Sequence, residues 1–416
     1  METFCTSVTP KYQITLCLNA LLFALLLTGG GLRFILGIGT NSYYPLCITG
    51  IGLITAVRCW CRPIGLVRQS SSYLAAIVIL SGWLLLSLFW TVSQVQYQTD
   101  LQLLLGIVLT VLLLIVNWEP GLFAKVLDIT VFFTLAMAIY VIAQTGGVLG
   151  MSPHGALPDE LYLTAGRLIA LGYLIGLIRF LTAGRRGWGW FILSSVHFAA
   201  LAVSEARGPL LFSIGIIVFL LTLGVELRNG KLRLRLALIG KYLLFLIPVL
   251  VLVLSFSLRV DNTRLRLLRI FSVTNELTEG GRGAVWERAW ESITQAPYFG
   301  YGLGSSGLMS GGPEDYYPHN WLLQIWLDGG LPGVAALLWI VALPLLVLGW
   351  RQPAGWRRQP ELIIAGACYL LLVLEYSKSH NFYIARDLFC FGAALLLEAS
   401  DPRGRCLPDG TDSSAL

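Results

Sequence analysis

Apolar runs close to the length that crosses a bilayer recur along this chain, and they limit its fold more than any other feature. Residues 12–28, 72–92, 101–117, 132–143, 237–258 and 331–348 are mostly near the roughly 20 residues a spanning helix needs. Composition agrees: the 416 residues are 56% hydrophobic and 12% charged, with a mean hydropathy of +0.74. Soluble domains carry about 25% charged residues. The chain reads as an all-α polytopic membrane protein.

Extending the same yardstick predicts about twelve spans. They fall near 12–30, 34–57, 71–92, 101–118, 121–143, 161–182, 187–205, 208–226, 237–258, 321–350, 361–378 and 383–399. Gly37, Gly39, Asn41 and Pro45 interrupt the second, and Gly329-Gly330-Leu331-Pro332-Gly333 is expected to break the tenth near its start. Basic residues set the orientation. Arg58, Arg62, Arg68, Arg179, Arg185, Arg186, Arg228, Lys231, Arg233, Arg235, Lys241, Arg351, Arg357 and Arg358 collect on one side, with the short loops 93–100 and 144–160 opposite them free of Lys and Arg. The positive-inside rule then puts both termini inside, so the net charge of +6 is mostly a topology signal. The organisation predicted is spans one to nine over 1–258, an outer loop over 259–320, three spans over 321–400 and a polar, disordered tail over 401–416. Eight cysteines lie in spans or at inner ends, none in the outer loop, so no disulfide framework is implied there.

The long polar outer loop needs a reason to exist. Arg259, Arg264, Arg266 and Arg269 alternate with Leu265, Leu268 and Phe271, a pattern that suits an amphipathic helix at the membrane surface. Residues 283–295 read as a second short helix with Trp286, Trp290 and Ile293 on one stripe. Arg282, flanked by glycines at its start, can turn a planar guanidinium towards an anion, which it grips bidentately. Arg288 reads either as a second such ligand or as an ion pair with Glu287 or Glu291. His319, in Tyr316-Tyr317-Pro318-His319-Asn320-Trp321, has the side chain whose ordinary pKa suits proton transfer at neutral pH. Tyr316, Tyr317, Asn320 and Trp321 are candidates for substrate contact or for anchoring the loop at the interface.

Outside the loop, His380 is a rival base at the last outer turn. Arg207, in an outer hairpin turn, is either a ligand or the ion-pair partner of Glu205. Arg167 lies about two turns inside its span, so it must reach the interface or face a polar cavity. The outer face has no DxD motif, and Glu314-Asp315 is the one adjacent acidic pair in the loop. Arginine, not a divalent metal, is expected to neutralise phosphate here, with no metal or other cofactor.

With these residues in place, the chain resembles the O-antigen ligase family, which attaches O-antigen to lipopolysaccharide. The likeness is carried by the twelve-span layout, Ser204…Arg207-Gly208, Gly281-Arg282-Gly283…Trp286, Gly300-Tyr301-Gly302-Leu303-Gly304 and His319-Asn320. Its specific part covers residues 204–333, and O-antigen polymerases share those motifs. The resemblance implies a GT-C-like membrane glycosyltransferase of the bacterial inner membrane, with its site facing the periplasm. It implies metal-independent, inverting transfer of a glycan from undecaprenyl pyrophosphate to a sugar hydroxyl of lipid A–core. Carried across residue by residue, it makes Arg207, Arg282 and Arg288 the pyrophosphate ligands and His319 the base. Two rival readings stand beside it. One is an O-antigen polymerase with the same chemistry. The other is a secondary transporter, opposed by the lack of internal repeats and by the one-sided Arg-rich loop.

Overall fold

A computed structural model describes residues 10–36, 40–61, 68–144, 159–182, 187–204, 206–223, 226–228, 231–233, 240, 243, 282–350 and 360–400. Thirteen α-helices occur among them: α1 (Pro10–Leu36), α2 (Thr40–Cys61), α3 (Arg68–Leu86), α4 (Gln96–Val116), α5 (Leu122–Gln144), α6 (Asp159–Thr182), α7 (Trp188–Val203), α8 (Arg207–Leu223), α9 (Arg282–Gln295), α10 (Ser306–Met309), α11 (Trp321–Trp350), α12 (Pro360–Lys378) and α13 (Arg386–Ser400). Eleven stand where spans are predicted. Seven of these are long and apolar enough to cross a membrane (α1, α3, α4, α5, α6, α11 and α12). The apolar stretches in α2, α7 and α8 are shorter, and α13 has 15 residues. The structure is therefore a helical polytopic membrane protein, without establishing twelve full spans. Apart from Gly240 and Leu243, the predicted ninth span lies outside the described residues, as do the Arg259–Arg269 segment and the tail. The all-α expectation has one exception, a short antiparallel hairpin of β1 (Glu226–Arg228) and β2 (Lys231–Arg233).

Core placement follows from the helix sequences. α6 is the central helix, packed by α5, α7, α8 and α12, and Leu168 to Leu174 along it are all buried. α13 is buried on nearly every side by α3, α4, α11 and α12, so a short helix is stable there without meeting lipid. Large apolar side chains such as Ile79 on α3, Phe132 on α5, Ile192 on α7 and Trp339 on α11 stay exposed. In hydrocarbon that is their favourable surroundings.

Buried or half-buried ion pairs close one end of the bundle. Arg58 pairs with Glu119, and Arg179 bridges Asp128 (3.3 Å) and Glu361 (2.7 Å). The other end carries α9, α10 and the candidate site residues. There α11 breaks as its sequence predicts, at Gly330, whose φ of 61° and ψ of −161° are non-helical. Pro332 cannot donate a hydrogen bond, and the break strands carbonyls in the turn before it. Other segments take them up. Tyr301 N bonds Leu327 O (2.6 Å), Gly302 N bonds Asp328 O (3.0 Å) and the Trp83 indole bonds Gly329 O (2.6 Å). In return Leu331 N reaches Pro297 O (3.0 Å). Gly302 has a positive φ of 90°, and a Cβ there would collide with the Thr91 backbone. The glycine run of the loop is thus a wedge joining α3, α4 and the α11 break.

Candidate active site

The site is organised around the C-terminal end of α12. The last carbonyls of a helix have no partner within it and form the negative end of its dipole. Here side chains from the loop region supply donors. Arg282 Nη1 donates to Lys378 O (3.3 Å), and Tyr317 OH (3.4 Å) and His319 Nδ1 (3.5 Å) donate to Ser379 O. The Trp321 indole donates to Ser377 Oγ (2.9 Å), and Gln324 is bonded to both Asn381 and Phe382.

His319 is the sole non-glycine residue with positive φ (54°) among those described. Holding a side chain there costs about 1–3 kcal/mol and persists only where neighbours enforce it. They do so on both sides. Trp286 donates to Pro318 O (2.7 Å), and Asn320 Oδ1 caps α11 by accepting from Leu322 N (2.9 Å) and Leu323 N (3.2 Å). The imidazole lies half-buried, 4.4 Å from the Tyr317 ring and 5.5 Å from the edge of Tyr316. Burial, and next the Arg282 charge, hold its pKa below the ordinary value, against a smaller opposing effect of the Ser379 bond. The ring is therefore neutral at pH 7. A carbonyl can only accept, so the proton is on Nδ1 and Nε2 keeps a lone pair.

Behind this layer lies a buried polar cluster. Arg167 pairs with Asp387 (Nε to Oδ2, 3.2 Å) and donates to Tyr376 OH, which in turn donates to Asp387 Oδ1 (2.7 Å). Arg167 is expected from the sequence to reach the interface or face a polar cavity; it is buried and its charge is paired with Asp387 inside the bundle. His380 is buried, with Nε2 3.8 Å from Glu375 Oε2. Burial, then Arg167, and further cations hold its pKa far below the ordinary value. It is a neutral ring beside Glu375 and not an ion pair.

The candidates fall into groups. Arg282, Tyr316, Tyr317 and His319 come together, and His380 and Arg167 stand behind them. Asn320 is occupied as a helix cap, and Trp321, 3% exposed, fastens α11 to α12 with no face left for a sugar. Arg288 donates to Gly311 O (3.5 Å) in place of a pair with Glu287 or Glu291. Arg207 opens α8 next to Gly208, and its side chain and Glu205 lie outside what is described. Glu314 accepts from Ser93 Oγ and from the backbone of Gln94, Val95 and Gln96 (2.9–3.2 Å), which pulls its pKa down to about 2. Among the described residues, no three His, Cys, Asp or Glu side chains gather to hold a metal. Sequence reading missed Glu375, Lys378, Ser379 and Asp387. The run Glu375-Tyr376-Ser377-Lys378-Ser379-His380, ending an apolar helix, was the available signal.

A half-buried neutral histidine and a guanidinium meet at one end of a helical membrane bundle. This defines a membrane protein with a polar site at the bilayer boundary. A family model described as O-Antigen ligase matches residues 190–338, from α7 into α11. This region, with Arg282, Arg288 and His319, is similar to the O-antigen ligase family. No curated protein matches the chain.

Proposed function

We propose that the protein is an O-antigen ligase of the bacterial inner membrane, with both termini cytoplasmic and the His319 end of the bundle in the periplasm. It moves a glycan from undecaprenyl pyrophosphate to a sugar hydroxyl of lipid A–core. One observation carries the reading. His319 offers a free Nε2 beside Arg282, within the stretch that matches the family.

The chemistry needs little more. The acceptor hydroxyl gives its proton to His319 Nε2 as its oxygen bonds to the anomeric carbon. The bond from that carbon to the phosphate oxygen breaks, and the electron pair leaves on the pyrophosphate. Arg282 stabilises the charge that develops there, with Arg207 and Arg288 as further ligands. Tyr316 and Tyr317 contact sugar faces. Attack from the face opposite the leaving group inverts the anomeric centre. No metal takes part, because guanidinium groups carry the counter-charge.

The test is transfer in vitro by the purified protein from a lipid-pyrophosphate glycan to lipid A–core. Glycan on lipid A–core, lost in a His319→Ala variant, supports the proposal. Elongation of the lipid-linked glycan with none on the core would make the protein a polymerase. Solute uptake into proteoliposomes without glycan transfer would make it a transporter.

A further inference from the structure

We propose that Glu375 is a positioning residue that limits how tightly the cationic pocket holds a pyrophosphate, so that the leaving group departs after transfer. The inference rests on the pyrophosphate chemistry above. Glu375 occupies the last turn of α12, is 0% exposed, and neither of its carboxylate oxygens has a hydrogen-bond partner. Lys378, Arg167 and Arg282 all lie within electrostatic reach of it. Gly208 fixes where this happens. A Cβ on Gly208 would lie 2.7 Å from Glu375 Oε1 and 2.6 Å from Lys378 Nζ. Both charges thus sit against the N-terminus of α8, the helix that begins with Arg207.

Asp387 is in a different position, because Arg167, Tyr376 and Leu388 N already engage it. Glu375 is therefore the acid whose charge is not absorbed by a bonded partner. It acts on the group of cations as a whole.

The reaction gives that charge a task. In the donor each phosphate has one ester and one anhydride link, with one ionisable oxygen. When the sugar leaves, the terminal phosphate keeps only its anhydride link and gains a second, with a pKa near 6 in comparable phosphate monoesters. A pocket built of cations alone would bind the product more tightly than the substrate and would stall. A fixed buried carboxylate at the same spot weakens both, and weakens the more highly charged product more.

The experiment compares wild type, Glu375→Gln and Glu375→Asp, each full-length in lipid nanodiscs. Inhibition of glycan transfer by inorganic pyrophosphate is measured, with kcat and KM for the lipid-linked donor. Glu375→Gln is expected to lower the inhibition constant about tenfold, a reasonable size for one close charge in a partly screened site. It should lower KM and kcat together, and Glu375→Asp, which keeps the charge, should stay near wild type. An inhibition constant that is unchanged or raised in Glu375→Gln overturns the inference, since a purely structural role loosens the pocket. Should Glu375→Gln fail to fold, Glu375→Asp decides: it must keep a wild-type pyrophosphate constant even where its melting temperature falls, and a constant that weakens along with the melting temperature overturns the inference. Wild-type protein that transfers glycan but is not inhibited by pyrophosphate also overturns it, and leaves the transferase reading standing. Wild-type protein with no transfer at all sinks the transferase reading and the inference together.

Discussion

The Nδ1–H of His319 faces the carbonyl of Ser379 at 3.5 Å, which leaves Nε2 as the only lone pair on the ring. The contact is long, as hydrogen bonds in unliganded sites often are before substrate tightens them. Its effect on tautomer is still definite, because no carbonyl donates. The end of α12 therefore does two jobs: it orients the His319 ring and, through Lys378 O, holds Arg282 beside it.

A pH profile follows. Burial and Arg282 place the His319 pKa below its ordinary 6.5. In the proposed role the reactive form is the neutral one, so transfer should be fully present above that value and fall as pH drops through the lowered pKa. The acid limb of kcat/KM should have its midpoint below 6.5. In Arg282→Ala a charge that lowers the pKa is gone, and the midpoint should move up. A midpoint above the ordinary histidine value in wild type, or one that moves down in Arg282→Ala, would contradict this arrangement.

Gly330→Ala tests the α11 break. Gly330 has φ 61°, and an added Cβ would strike the Tyr298 carbonyl. The backbone conformation alone costs a non-glycine residue about 1–3 kcal/mol, and the collision adds to it. Thermal unfolding of the purified protein should shift down by several degrees, with transfer reduced. An unchanged melting temperature would show that the break is not needed where it stands.

Helix positions were largely legible in the sequence, because a bilayer-length apolar run admits few structures. Predicted spans such as 121–143 and 361–378 match α5 and α12 to within a residue. The break in α11 was legible for the same local reason, glycines followed by Pro332. The candidate site was legible in part. Arg282 and His319 stood out by residue type within a polar loop. Trp321 did not reveal its packing role, because its partner Ser377 is over 50 residues away. The Asn320 cap, in contrast, is local, to Leu322 N and Leu323 N, and an Asn at the head of an apolar run was a readable signal for it. Glu375 was hidden in an apolar helix. Its partners Arg167 and Arg282 are far off in sequence, and only the packing of α6, α9 and α12 brings them to it.

Glu314 gives a prediction on stability and metal together. Its pKa is depressed from 4.5 to about 2 by the backbone N–H groups of 94–96. A depressed carboxylate stabilises the fold above its unfolded pKa, and that contribution disappears as pH falls through the folded value. Glu314→Gln should therefore be less stable than wild type at pH 7, with the gap closing between about pH 4.5 and 2. Its oxygens are already engaged in holding the loop to α4, so EDTA should leave transfer unchanged. Loss of activity with EDTA, restored by magnesium or manganese, would reassign Glu314 and Asp315 as metal ligands.

The last prediction separates Arg282 from His319. His319→Ala removes the proton acceptor and leaves Arg282 bonded to Lys378 O. Donor binding should stay close to wild type while turnover falls about 10²–10⁴-fold, the usual contribution of a general base. Higher pH should restore part of the rate, because hydroxide replaces the lost acceptor. Arg282→Ala should weaken donor binding and turnover together, since in the proposed mechanism the same guanidinium meets the pyrophosphate before and during departure. Arg282→Lys should recover little, because lysine keeps the charge and loses the planar fork. Binding of a lipid-pyrophosphate glycan and single-turnover rates, measured on each purified variant, distinguish the two roles. If His319→Ala turns over normally, or fails only because it no longer binds donor, His319 is not the base. His380 would then be next to test, though its burial 3.8 Å from Glu375 places it behind the pocket and not within it.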